Sequence, residues 1–352
     1  MGSVLTDIMA VIGVVLNGLP QGLLALSMGF ASIPTALAFF IGAVGNALTQ
    51  NVAPISFQAE TITYAGTSGK DRSERCTMIF LGGVIMTVIG LLGVLTKIVD
   101  FIGSDIANGM MAGVGIVLTK AAIDMVKGDK LAGGVSLVTA LVTYYFVQAS
   151  SNSLVYTILI SVVASCIVSN LINKNQQTIT VADDNFKRQT FTFNTNVILG
   201  ALGMACLNIG SNISFGSITA SMAPAAHYNV DQLTVISSLA DMASSFFGGA
   251  PVESIISATA AAPHAVWAGV AMMVVIGVIL LSGVLPKIGK YVPSSSIAGF
   301  LFVLGVFKTV ALDAPAALAT APVVGGITMT VTAVTNPFFG MIAGIIARIL
   351  GF

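Results

Sequence analysis

Two short stretches of the chain put polar, helix-breaking residues where a membrane helix would carry continuous aliphatic ones. The first is "SSFFGGAPVESIIS" (Ser244–Ser257). Its Glu253 is a carboxylate that can accept from a solute N–H or carry a proton, and Ser254 beside it can donate or accept. An acid at a bilayer centre costs roughly 2.5–3.5 kcal/mol on insertion scales, so Glu253 is expected to line a cavity and to have a task there. Ala250, Pro251 and Val252 would bring backbone to the same place. The second stretch, "NVAPISFQAE" (Asn51–Glu60), repeats the Ala-Pro break and supplies Pro54, Ile55, Ser56 and a second acid, Glu60. Ser56, Glu60 and Tyr64 are spaced four apart, the spacing of one helix face, with Gln58 elsewhere on that segment.

Further polar residues belong with these. In "LNIGSNIS" (Leu207–Ser214), Asn208, Ser211 and Asn212 fall on one helical face. They serve either solute binding or the inter-helix hydrogen bonding common in membranes. Asp241, in "SSLADMASSF", is a candidate proton-relay acid or a packing residue. Glu60, Asp241 and Glu253 are therefore the proton-coupling candidates. Lys120 and Asp124 read as a local i,i+4 ion pair, and His227 and His264 as interface residues, with no metal site. The three cysteines (Cys76, Cys166, Cys206) are far apart and have no metal or disulfide spacing. No HExxH, CxxC, GxSxG or phosphate-loop pattern occurs, so an enzyme is not expected and no cofactor is needed.

The elements that must position these residues are membrane helices. Of 352 residues, 56% are hydrophobic and only 8% charged, and the mean hydropathy is +0.97. A soluble domain carries about 25% charged residues, so much of this surface must face lipid. The 14 basic and 14 acidic residues balance, which argues against a nucleic-acid partner. No removable leader is evident at the start. Apolar runs fall near 4–30, 33–49, 76–96, 104–125, 131–149, 153–172, 191–215, 231–247, 264–285, 294–311, 315–333 and 335–352. Segments 54–65 and 251–262 follow the Ala-Pro breaks and are too short to span.

The count is fourteen, seven on either side of a polar loop at 173–190. "GVLTKIVDFI" (Gly93–Ile102) aligns with "GVLPKIGKYV" (Gly283–Val292), and small-residue helices Gly109–Gly115 and Gly299–Gly305 follow at the same offset. Seven is odd, so the halves 1–172 and 191–352 form an inverted repeat. Interrupted helices at matching positions mark the binding site of such a transporter. Pro54 and Pro251 are expected at the first turn of two half-helices, with free N–H groups facing a central cavity, and the short extended stretches before the two prolines could pair with each other across the pseudo-symmetry axis. Loop lysines and arginines concentrate on one side and put both termini outside.

These residues also resemble a known family. "NGMMAGVGIVLTKAAIDMVK" (Asn108–Lys127), "VPSSSIAGFLFVLGVF" (Val292–Phe307), "LADMASSFFGG" with "VES", and "ITMTVTAVTNPFFGMIAGIIARIL" (Ile327–Leu350) are similar to segments of the xanthine/uracil permease superfamily of nucleobase–cation symporters, most of all its hypoxanthine/guanine/adenine permease branch. The likeness is diffuse but runs over most of the chain. It implies a fourteen-segment inverted-repeat fold with interleaved core and gate domains, both termini inside, and a site built by segments 1, 3, 8 and 10. It makes Glu253 the purine-contacting acid, with Ser254 beside it. The branch's "FDTxGT" is replaced here by "CLNIGS" (Cys206–Ser211), which removes an acid.

The expectation is a multi-pass permease of the cell (inner) membrane working by alternating access. Its partners are a small solute, a nucleobase first, and the lipid bilayer, with a homodimer kept open. The coupling ion is a proton, with sodium the alternative. The first rival is a transporter of sulfate- or bicarbonate-like anions on the same fold, against which stand the carboxylate and the lack of any arginine between Arg188 and Arg348. A non-transporting receptor or scaffold ranks below both.

Overall fold

A computed structural model describes residues 2–150, 153–172, 179, 185–223 and 225–352. Most of the 173–190 loop lies outside the described residues. The chain is almost entirely helical. The first half carries α1 (Gly2–Ser27), α2 (Ser32–Thr49), α3 (Ala59–Ser68), α4 (Arg72–Leu91), α5 (Leu95–Ile102), α6 (Ser104–Gly128), α7 (Lys130–Val147) and α8 (Ser153–Ile172). The second carries α9 (Thr195–Ser221), α10 (Val230–Phe246), α11 (Ala265–Leu281), α12 (Val284–Gly289), α13 (Ala298–Val303), a π-helical stretch Leu304–Val310, α14 (Ala311–Thr320), α15 (Pro322–Val334) and α16 (Pro337–Ile349). Among the described residues, seven helices are long and apolar enough to cross a membrane, and Ser294–Thr320 counts as one of them.

Two compact units form, Met1–Phe101 with Ala182–Leu285 and Ile102–Val181 with Pro286–Phe352. In the first, glycines let helices approach closely, as small residues do in membrane packing. A Cβ on Gly83 would lie 2.9 Å from Ser238 O, and one on Gly90 would lie 2.9 Å from Asp231 O, so α4 packs backbone to backbone on α10. In the second unit, a Cβ on Gly115 would meet Gly305 O at 2.8 Å, and one on Gly305 would meet Gly115 O at 2.6 Å. The two small-residue helices aligned in sequence therefore cross each other at equivalent glycines.

Gly93 and Gly283 are equivalent as well. Each ends a helix in the left-handed region, at φ +64° and +65°, where a side chain is strained even though nothing crowds the site. The repeated "GVL" segments thus become a helix-ending turn followed by a short helix, α5 in one copy and α12 in the other.

The Ala-Pro stretches differ from expectation. Neither proline opens a helix. Ile55–Ser56 and Glu253–Ser254 instead form two strands, β1 and β2, paired antiparallel with Ile55 opposite Ser254 and Ser56 opposite Glu253. α3 starts only at Ala59. Its counterpart is a single 3-10 turn, Ala258–Ala261. Pro263 stops that turn by holding Ala262 extended, at ψ 152°.

Candidate functional site

The strand pair lies wholly in the first unit. Its members are buried, Ser56 at 1% exposure and Glu253 and Ser254 at 0%. Backbone of this kind at membrane depth needs partners from protein, because lipid offers none. Side chains supply them. Asn46 Nδ2 donates to Ala53 O at 2.7 Å, and Ser244 Oγ to Ala250 O at 2.7 Å. Ala250 N donates to Thr35 Oγ1 at 2.8 Å, and Val252 N to Asp241 Oδ1 at 2.7 Å. Thr219 Oγ1 accepts from Ser257 N at 3.1 Å and donates to Ile255 O at 2.8 Å.

Asp241 thus positions the chain just before Glu253. Glu60 is buried in the first turn of α3. Ser56 sits in β1 and so does not share the helical face of Glu60 and Tyr64.

Ala53 and Ala250 are 197 residues apart, as are Ser56 and Glu253. Because Ser56 pairs directly with Glu253, the pseudo-two-fold axis runs through that pair. Directly opposed residues of antiparallel strands point to the same face, so the Ser56 hydroxyl and the Glu253 carboxylate share one side.

One oxygen of Glu253 is fixed and the other is free. Asn208 Nδ2 donates to Glu253 Oε2 at 2.6 Å. Asn208 is oriented in turn by Asn212 Nδ2, which donates to Asn208 Oδ1 at 2.6 Å and also reaches Thr234 Oγ1 and Ser237 Oγ at 3.1 Å each. Among the described residues, Glu253 Oε1 has no hydrogen-bond partner, nor do Ser56 Oγ, Ser254 Oγ or either polar atom of the Gln58 amide. A buried polar group left unpaired costs about 1–3 kcal/mol. Four such residues around one strand pair mark a place where a solute or water completes the bonding.

Of the residues expected at the site, Ser56, Asn208, Asn212, Asp241, Glu253 and Ser254 cluster here, on backbone from Pro54, Ile55, Ala250, Pro251 and Val252. Ser211 does not join: its Oγ donates to Leu207 O at 3.1 Å, back within α9. Asp124 pairs with Lys127 at 3.0 Å and not with Lys120, in keeping with the preference for the acid on the N-terminal side. His264 Nδ1 bonds Asp7 Oδ2 at 2.8 Å. No group of metal-binding residues forms among the described residues.

Thr234 and Ser237 were not anticipated. The signal was present: Thr234, Ser237, Ser238, Asp241, Ser244 and Ser245 recur every three or four residues, a polar stripe along an apolar helix.

No family model and no curated protein matches the chain. Solved structures do match in fold. The transmembrane domain of a cyanobacterium bicarbonate transporter, BicA, superposes with a TM-score of 0.70 at 14% identity, over 97% of each chain. SLC26A9 gives a TM-score of 0.71 at 13% identity over 99% of this chain, which spans 65% of that one. The murine Slc26a9 anion transporter in its inward-facing state gives 0.70 at 13% identity, over 98% of this chain and 68% of that one.

The chain therefore has the seven-plus-seven inverted-repeat fold of these transporters and is a multi-pass membrane protein. The nucleobase-permease resemblance is corrected by the same comparison, since the structural neighbours are bicarbonate and anion transporters. The matching segments include the small-residue helices that cross at Gly115 and Gly305. The architecture itself demands these, so they do not report the solute.

Proposed function

We propose that this protein moves a small anion of the bicarbonate class across the membrane, together with a proton carried by Glu253. The observation that carries the reading is the free Glu253 Oε1 opposite the unpaired Ser56 hydroxyl. Ionised, Glu253 repels an anion. Protonated, its carboxyl becomes a donor, as a buried neutral acid can be, and joins neutral donors from Ser56 and the Gln58 amide. The site then receives an anion only when it also holds a proton, which couples the two without any arginine or lysine. The fold of the bicarbonate and anion transporters supports this assignment. The test is uptake by proteoliposomes of labelled bicarbonate, formate and sulfate under an imposed pH gradient, acid outside. Gradient-dependent accumulation of a monovalent anion is expected. Indifference of every anion to the gradient would overturn the proposal.

A further inference from the structure

A second recess runs along α1 and α11 in the first unit. It has a volume of about 640 Å³ and is walled by apolar side chains that include Ile8, Ile12, Leu16 and Val275. At one end sits a polar pair. Asp7 Oδ1 accepts from His264 N at 3.0 Å, and Asp7 Oδ2 bonds His264 Nδ1 at 2.8 Å. At the other end the helices close up, with the position of a Cβ on Gly18 only 3.2 Å from Ile276.

We infer that this groove is a binding site for one acyl chain of a bilayer glycerophospholipid, with its phosphate beside His264. Three observations point to that occupant. The first is depth: Asp7 to Leu16 is nine residues of helix, about 14 Å at 1.5 Å per residue. That is one leaflet's share of a hydrocarbon core about 30 Å thick. The second is access, since Ile8 (48%), Ile12 (51%) and Trp267 (57%) are exposed on a helix pair that the sequence assigns to the membrane.

The third is the chemistry of the ends. The floor is apolar, so water does not fill it well. The mouth holds an imidazole 59% exposed whose Nε2 lies outside the pair with Asp7 and can meet a phosphate oxygen. Trp267, the only tryptophan of the chain, sits three residues beyond His264, where an amphipathic ring marks the headgroup level. Nothing in this argument depends on which anion is carried.

The test uses the full chain. Native mass spectrometry after mild delipidation should retain one phospholipid per chain, and Ala271→Phe, which fills the groove from an exposed position, should lose it. Trp267 in the unaltered chain supplies a second reading that does not depend on how that variant folds. In vesicles of phosphatidylcholine, bromines placed near the headgroup should quench Trp267 more than bromines at the chain end. Equal lipid retention in wild type and Ala271→Phe would overturn the inference. So would a Trp267 shielded from all brominated chains in a two-chain particle, which would put a second copy in the groove.

Discussion

Replacing Asn208 by alanine removes the side-chain donor to Glu253 and leaves the rest of the strand clamp in place. Asn212 keeps Thr234 and Ser237 as acceptors, so the loss falls on the 2.6 Å bond to Glu253 Oε2. A hydrogen bond to a charged group contributes about 1.5–3 kcal/mol, and one between neutral groups about 0.5–1.5. In the wild-type background, Asn208→Ala should therefore slow whichever step requires ionised Glu253 by about 10- to 150-fold, at 1.4 kcal/mol per decade. In an E253Q background, where no charge is present, the same change should cost only about 2- to 13-fold. The assay is the anion exchange rate in proteoliposomes for wild type, N208A, E253Q and the double variant, with protein recovery as the control for folding. The difference between backgrounds is the coupling between the two residues. Equal losses in both backgrounds would show that Asn208 acts on packing and not through Glu253, and would refute the orientation argument.

Ser56→Ala removes a hydroxyl that has no protein partner, so thermal stability should hold while the half-saturating anion concentration rises by about 2- to 13-fold, the value of one neutral hydrogen bond. Asp241→Ala should lower stability by about 1–3 kcal/mol because Val252 N is left buried without its acceptor, whereas Asp241→Asn keeps an oxygen there and should lose less; thermal unfolding in detergent distinguishes them. Gly305→Val drives a side chain into Gly115 O, 2.6 Å from its Cβ position, and should cost about 1–3 kcal/mol or abolish recovery of folded protein. Gly93→Ala and Gly283→Ala, both in open space, should each cost about 1–2 kcal/mol from the left-handed backbone alone. Matching losses would support the equivalence of the two turns.

The spans, the inverted repeat and the small-residue crossings were legible because each depends on local composition or on an offset between two copies. Glu253, Asn208 and Asn212 were legible because a polar group in a membrane helix is costly enough to need a reason. Pairing of two extended stretches was legible too, but not its place, which follows the prolines and does not precede them. Two residues on each side become strands only because their partners lie 197 and 199 residues away, and a proline alone reads equally well as a helix start. Ser211 and Asn212 could not be separated by spacing, since the bond of Ser211 to its own helix is decided by rotamer. The clamp from α10 was written in its polar stripe and overlooked there. The solute class was misread because small-residue helices and proline breaks follow from an architecture that the anion-transporter neighbours share.

The most direct measurement is accumulation against exchange in E253Q proteoliposomes. Glutamine keeps the size of Glu253 and, like the protonated acid, offers a donor, but it cannot release a proton. The variant should still exchange bicarbonate-sized anions down their gradient and should fail to accumulate them when an inward proton gradient is imposed. Accumulation at the wild-type level in E253Q would contradict the account and remove Glu253 from the coupling.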